Sequence, residues 1–191
     1  MSRIVVTEFV TLDGVFEDPG GSEEFERGGW AFRFERGEEG DQFKLDETMG
    51  SDALLLGRHT FEGFAQHWPS RDGEFADKFN GLPKYVVSSS LEDPESTWSN
   101  SRVVTLEDVR SLREGDGGDV VVHGSGQVVR GLLEQGLVDE LRLMVFPVVL
   151  GAGKRLFGDS GPEQTLQLVE SKPVGPDGVV ILTYRPVTGE G

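Results

Sequence analysis

Three short segments of this chain carry the residue types that hold an anion. Gly57-Arg58-His59-Thr60 follows the apolar run 53–56, Ser88-Ser89-Ser90 ends the run that starts at Lys84, and Gly124-Ser125-Gly126-Gln127 follows Val120-Val121-Val122. Glycine lets the backbone turn sharply and lets a ligand come close to it. A helix that starts at such a turn leaves its first N–H groups unpaired and aimed outward, which suits a phosphate. Arg58 adds a planar charged fork, and the serines add hydroxyl donors. Taken singly the segments are weak: Gly124-x-Gly126 lacks the third glycine of the dinucleotide fingerprint, whose place Val129 occupies, and reads equally as a tight turn with no ligand. Arg58 could serve only as a partner for a surface acid, His59 as a first-turn residue, the serines as a strand-end cap, and His123 as a packed core residue. Open α/β sheets bind ligands at the carboxyl ends of their strands, so the coincidence of three such ends is worth more than any one of them.

The elements that must position these segments can be read from periodicity. Residues 3–10 are a β-branched strand closed by Thr11-Leu12-Asp13-Gly14. From Phe16 to Gly40 the chain is acidic and glycine-rich, with aromatics at Phe25, Trp30, Phe32 and Phe34, and reads as a long lid or binding loop. A helix is expected over 41–49 with Asp41 as its N-cap, a strand over 53–56, a helix from Gly57 to about Trp68 ended by Pro69, and a short helix over 72–80. Strands follow at 84–88 and 102–105, then a helix over 106–113 with Thr105 and Asp108 as a candidate capping pair. The central stretch is strand, glycine turn and helix, with Val128, Val129, Leu132, Leu133 and Leu137 on one face and Gly136 at the stop. A second apolar run, 141–150, comes next. It contains Pro147, which cannot donate to a ladder and so predicts an edge or a bulge. Residues 165–171 and 178–185 form a hairpin around Pro176-Asp177-Gly178, and 187–191 a loose tail. Strands alternating with helices predict a mostly parallel α/β sheet flanked by helices, with a C-terminal antiparallel hairpin.

Composition sets the outer bounds. At 191 residues the chain suits one domain. Without cysteine it has no disulfide, thiolate metal site or cysteine nucleophile, and a reducing compartment fits. No apolar run approaches the roughly 20 residues needed to span a bilayer, and the N-terminus lacks a signal peptide's long apolar region, so a cytoplasmic protein is expected. The formal charge is −16, from 18 basic and 34 acidic side chains. Such a chain is repelled by nucleic acid and by anionic membranes, and its acidity points to solubility or to life at high salt. The apolar run 141–150 would leave a greasy edge if exposed, which predicts a homodimer.

Several segments together make the chain similar to the dihydrofolate-reductase-like family that includes the reductase domain of riboflavin biosynthesis. They are Thr11-Leu12-Asp13-Gly14, Leu54-Leu55-Leu56-Gly57-Arg58-His59-Thr60-Phe61-Glu62, Lys84-Tyr85-Val86-Val87-Ser88 and Val122-His123-Gly124-Ser125-Gly126. The longest runs from Leu137-Val138-Asp139-Glu140-Leu141 through Phe146-Pro147-Val148-Val149-Leu150-Gly151 to Leu156-Phe157. The likeness covers residues 3–186 and implies a single dihydrofolate-reductase-like domain over 1–186. It implies NADPH as hydride donor to a planar heterocycle. That substrate would be pterin-like or an aminopyrimidine such as 5-amino-6-(5-phosphoribosylamino)uracil. A non-catalytic nucleotide-binding protein on the same fold is the alternative. By position, Arg58, His59, Ser88, Ser89 and Ser90 would surround the adenosine 2′-phosphate. Gly57 would shape the turn, while Thr60 and the amides of Gly124, Ser125 and Gly126 would hold the pyrophosphate. The loop from Asp13-Gly14 would close over the nicotinamide. The folate enzymes place an acid on the helix after the long loop, and Asp41 lies near the matching distance before Gly57, with Asp46 and Glu47 as rivals; as a plain N-cap, Asp41 would do no acid chemistry. The chain departs from the family in two ways. No cysteine exists for the zinc deaminase often joined to the riboflavin reductase, and residues 17–47 hold many acids against only Arg27, Arg33, Arg36 and Lys44, which argues against a phosphorylated substrate.

Overall fold

The computed structural model describes residues 1–187, so the tail read over 188–191 lies outside them. Eight strands form one sheet in the order β4-β3-β2-β5-β1-β6-β8-β7. They are β1 (Arg3–Thr11), β2 (Ser51–Gly57), β3 (Lys84–Val87), β4 (Ser101–Val104), β5 (Asp119–His123), β6 (Glu140–Phe146), β7 (Leu166–Val174) and β8 (Val179–Pro186). Every pair from β4 to β6 is parallel, and β6/β8 and β8/β7 are antiparallel. The helices are α1 (Gly37–Met49), α2 (Arg58–His67), α3 (Glu74–Gly81), α4 (Pro94–Thr97), α5 (Leu106–Glu114) and α6 (Gly126–Glu134). None of those described is long and apolar enough to cross a membrane.

The central parallel strands β2, β5 and β1 are buried on both faces, as their apolar runs require. On one face Ile4, Val6, Leu55, Val120 and Val122 pack against Val109, Val129, Leu132 and Leu133 of α5 and α6. On the other, Leu54, Leu56 and Val86 meet Phe61, Phe79 and Trp98. Several stop signals act as the sequence indicates. Thr105 and Asp108 form a reciprocal capping box at α5. Gly136 is left-handed (φ 64) and ends α6, with its N–H bonding Leu133 O and that of Leu137 bonding Leu132 O.

Two elements differ from expectation. The apolar run 141–150 is not one strand: β6 stops at Phe146, Pro147 lies just beyond it, and β6 sits inside the sheet between β1 and β8. Its apolar residues face the core rather than solvent, so the greasy edge that motivated a homodimer is absent there; the edge strand on this side of the sheet is β7, where Leu168 and Val169 are exposed. Helix α1 begins at Gly37, four residues before Asp41, which is therefore not its cap. Its early start suits Glu38 and Glu39 in the first turn, near the positive end of the helix dipole. The helix shows no apolar stripe because the positions it buries are Gly40, Glu47 and Thr48.

The connections fix where a ligand can go. The chain leaves β1 toward β2 and leaves β5 toward β6, so the strand order reverses between the adjacent strands β5 and β1. The crevice above that reversal is the usual ligand position in an open α/β sheet.

Candidate functional site

The three segments singled out by residue type meet at the carboxyl edge of the sheet. Gly57 is the last residue of β2 and its N–H donates to Ser125 Oγ at 2.6 Å. Ser125 Oγ in turn donates to Thr60 Oγ1 at 2.9 Å. Ser125 is left-handed (φ 64), which turns its hydroxyl back toward α2. Arg58 Nη1 donates to Ser90 Oγ at 2.8 Å, and its Nε pairs with Glu62 at 2.7 Å. Ser88 Oγ accepts from the N–H groups of Ser90 and Leu91 and so shapes its own turn, while Ser89 is exposed. His59 Nε2 lies 3.2 Å from Glu23, which brings the long loop to α2.

These bonds also use up some of the donors. The Gly57 N–H is taken by Ser125, so this amide is not free for an anion. Neither α2 nor α6 carries a side-chain cap, so the first-turn N–H groups of both helices remain for a ligand. The glycines are needed for the turns to close on each other. A Cβ at Gly57 would come within 2.7 Å of Ser125 Oγ, and one at Gly124 within 2.6 Å of Thr60 Oγ1. At Gly126 a Cβ would meet Phe16 at 2.6 Å, so the start of the long loop already covers this turn. The donor set of one guanidinium, three serines, one threonine and two uncapped helix starts fits the phosphates of a dinucleotide.

That loop is built rather than loose. The Asp18 carboxylate is buried and accepts from the N–H groups of Ser22, Glu23 and Phe25. Trp30 is fully buried and donates from Nε1 to Glu17 O at 2.8 Å. At the loop's start Asp13 accepts from the Thr11 hydroxyl and from the N–H groups of Leu150 and Gly151. Desolvation alone would raise the Asp13 carboxyl, but these three donors outweigh it and lower it to about 2.

Beside the crevice lies a buried polar cluster whose members stand far apart in the sequence. Lys44 donates to Thr7 Oγ1 at 2.9 Å and pairs with Glu47. Arg142 reaches Glu47 at 3.2 Å and Glu140 at 2.7 Å. Burial would push the Glu47 carboxyl up, but Lys44 and Arg142 reverse this and hold it below the ordinary range. His123 packs edge-on to Phe64 and Phe79, and burial, with the Lys44 ammonium adding to it, pushes the imidazole down to about 3. Glu8 lies nearest the switch point: it is 7% exposed, and its Oε1 has no partner. Burial drives its carboxyl well above the ordinary range, against the smaller opposing pull of Lys44 and of the Gly124 N–H.

Asp41 lies in the first half of α1 and lines a cavity with Phe9 and Phe146; its side chain is 67% exposed and pairs with Arg36 at 2.6 Å. Glu8 was findable in the sequence, because Ile4, Val6, Glu8 and Val10 alternate onto one face of β1 and an acid among them is out of place. The pairing of Glu47 with Arg142 spans 95 positions and leaves no local signal.

Comparisons with known proteins bear on the family and the fold. A family model described as the RibD C-terminal domain matches residues 2–180. The uncharacterized protein YyaP of Bacillus subtilis (strain 168) is 30% identical over 190 residues, covering 96% of this chain and 94% of its own length. Among solved structures, a candidate riboflavin biosynthesis protein from Shewanella sp. PV-4 superposes with a TM-score of 0.76 at 21% identity, over 97% of this chain and 99% of that one. Dihydrofolate reductase from Enterococcus faecalis, in complex with NADP(H) and RAB-propyl, gives 0.61 at 16% identity over 96% of both chains. At these identities the two structures speak for the fold alone.

Proposed function

The chain belongs to the RibD C-terminal domain family, and from that premise we propose that it is an NADPH-dependent reductase of a planar heterocycle, pterin-like or aminopyrimidine. The observation that carries the proposal is the direct bonding of the anion-binding segments to one another, from Gly57 through Ser125 to Thr60 and from Arg58 to Ser90. Arg58 with Ser88, Ser89 and Ser90 would take the 2′-phosphate, with His59 beside them. Thr60 and the amides of Ser125 and Gly126 at the start of α6 would take the pyrophosphate, with the Gly124 N–H turned to Glu8. NADPH supplies the hydride when bound. Reduction of a ring C=N bond also needs a proton on nitrogen, and Glu8, whose carboxyl burial raises beside the Gly124 turn, is the candidate to supply it. Phe16 and the Asp18-pinned loop exclude water from above.

The test is NADPH consumption by the purified protein against a panel of oxidised pterins and aminouracils. Consumption that falls in Glu8→Gln while NADPH binding stays supports the proposal. Tight NADPH binding with no consumption across the panel leaves a nucleotide-binding protein without turnover. No NADPH binding removes both.

A further inference from the structure

A cavity of about 450 Å³ opens between β1, β6 and the start of α1, on the same carboxyl edge as the glycine turns. Its walls are aromatic. The rings of Phe9 and Phe146 meet edge to face at 5.3 Å, Phe34 lies 6.2 Å from Phe146, and Phe32 at the mouth is 81% exposed. Flat aromatic walls favour a flat ring. The rim is charged, and its charges are unequal. Arg36 sits over the Phe9 ring at 5.4 Å but is already paired with Asp41. Lys44, 5.6 Å from the centre of the same ring, is held by Glu47 and Thr7. Glu35 and Glu38 line the same cavity, and neither carboxylate has an ion-pair partner among the described residues.

We propose that this cavity is the heterocycle site and that it selects a neutral or cationic ring system, rejecting one that carries a phosphate or carboxylate. This inference rests on the reductase reading and names the charge class of its substrate. Arg36 and Lys44, the cations against the Phe9 ring, each hold a carboxylate already, so an anionic substituent entering here meets the two carboxylates that have no such partner. The family's riboflavin name would suggest a phosphorylated substrate; the rim of this chain is built against one. A cationic ring gains both from the carboxylates and from the exposed faces of the phenylalanines.

The probes are 6-hydroxymethylpterin and pterin-6-carboxylate, which share a ring and differ by one negative charge, titrated by fluorescence at low salt onto the full chain. NADPH is titrated onto the same samples. The hydroxymethyl compound should bind about tenfold or more tightly than the carboxylate, as two nearby like charges in a partly dry site imply, and the double variant Glu35→Gln, Glu38→Gln should bring the two probes within about threefold of each other. Both substitutions are at exposed positions, so the fold is not at stake. Equal or tighter binding of the carboxylate with NADPH binding intact overturns the charge selection and leaves the reductase reading standing. Absence of pterin binding with NADPH bound overturns the cavity as heterocycle site. Absence of both overturns the reading and the inference together.

Discussion

Gly124→Val is expected to weaken NADPH binding by about tenfold or more, a loss of ~1.4 kcal/mol at least. Two effects act together. Gly124 has φ 60, a region in which a β-branched residue is a genuine outlier. Its new Cβ would also stand 2.6 Å from Thr60 Oγ1 and 2.9 Å from Thr60 Cγ2, so the turns at 57–60 and 124–126 must part. Ser125 then loses its bonds to Gly57 and Thr60, and the amides at the start of α6 no longer face the same ligand as those of α2. Gly136→Val separates site from strain. Gly136 is equally left-handed (φ 64), but nothing lies within 4 Å of its would-be Cβ. It should cost stability and leave the NADPH dissociation constant unchanged. Isothermal titration of both variants decides the matter: equal NADPH affinity in Gly124→Val and the parent would remove the joined turns from the binding site.

The second large effect is on stability. Glu47→Ala should destabilise the fold by about 3 kcal/mol, because removing one member of a buried ion pair leaves its partners unpaired. For a domain of this length that is a fall of roughly 6–12 °C in melting temperature. Lys44 and Arg142 are both mostly buried, at 12% and 16% side-chain exposure, and both would face a vacated carboxylate site. Thr7 keeps Lys44 and Glu140 keeps Arg142, which is why the loss stays near the lower end of the usual range. The pH dependence has a fixed sign. The folded carboxyl titrates below its unfolded value, so its contribution is complete above the ordinary glutamate range and disappears as pH falls through the folded value. The gap between parent and variant should therefore close in acid. Urea unfolding at neutral and acidic pH measures this, and a neutral-pH difference under about 1 kcal/mol would mean the cluster is solvated rather than structural.

The sheet and its hairpin were legible because their signals are local. The Pro176-Asp177-Gly178 turn marks the hairpin of β7 and β8, Gly136 marks the stop of α6, and Thr105 with Asp108 marks the start of α5. Proximity of the three strand ends was also legible, since parallel α/β topology sends every strand's carboxyl end to one edge. Helix α1 was placed late because periodicity looks for an apolar face, and this helix buries Glu47 and Thr48 instead. The extent of β6 was overread because Pro147-Val148-Val149-Leu150 continues its composition but leaves the ladder. Family likeness points to Asp41 on α1 as the acid; the carboxyl that burial raises is Glu8 in β1, and that burial depends on what packs around β1 from distant parts of the chain.

The most direct measurement is a paired titration of NADPH and NADH against the parent protein and Arg58→Ala. If Arg58 and the serines at 88–90 take the 2′-phosphate, the parent binds NADPH more tightly than NADH, and Arg58→Ala removes most of that preference while NADH affinity holds. Equal affinity for the two nucleotides in the parent, or an equal loss for both in the variant, would contradict the assignment of these strand ends to NADPH.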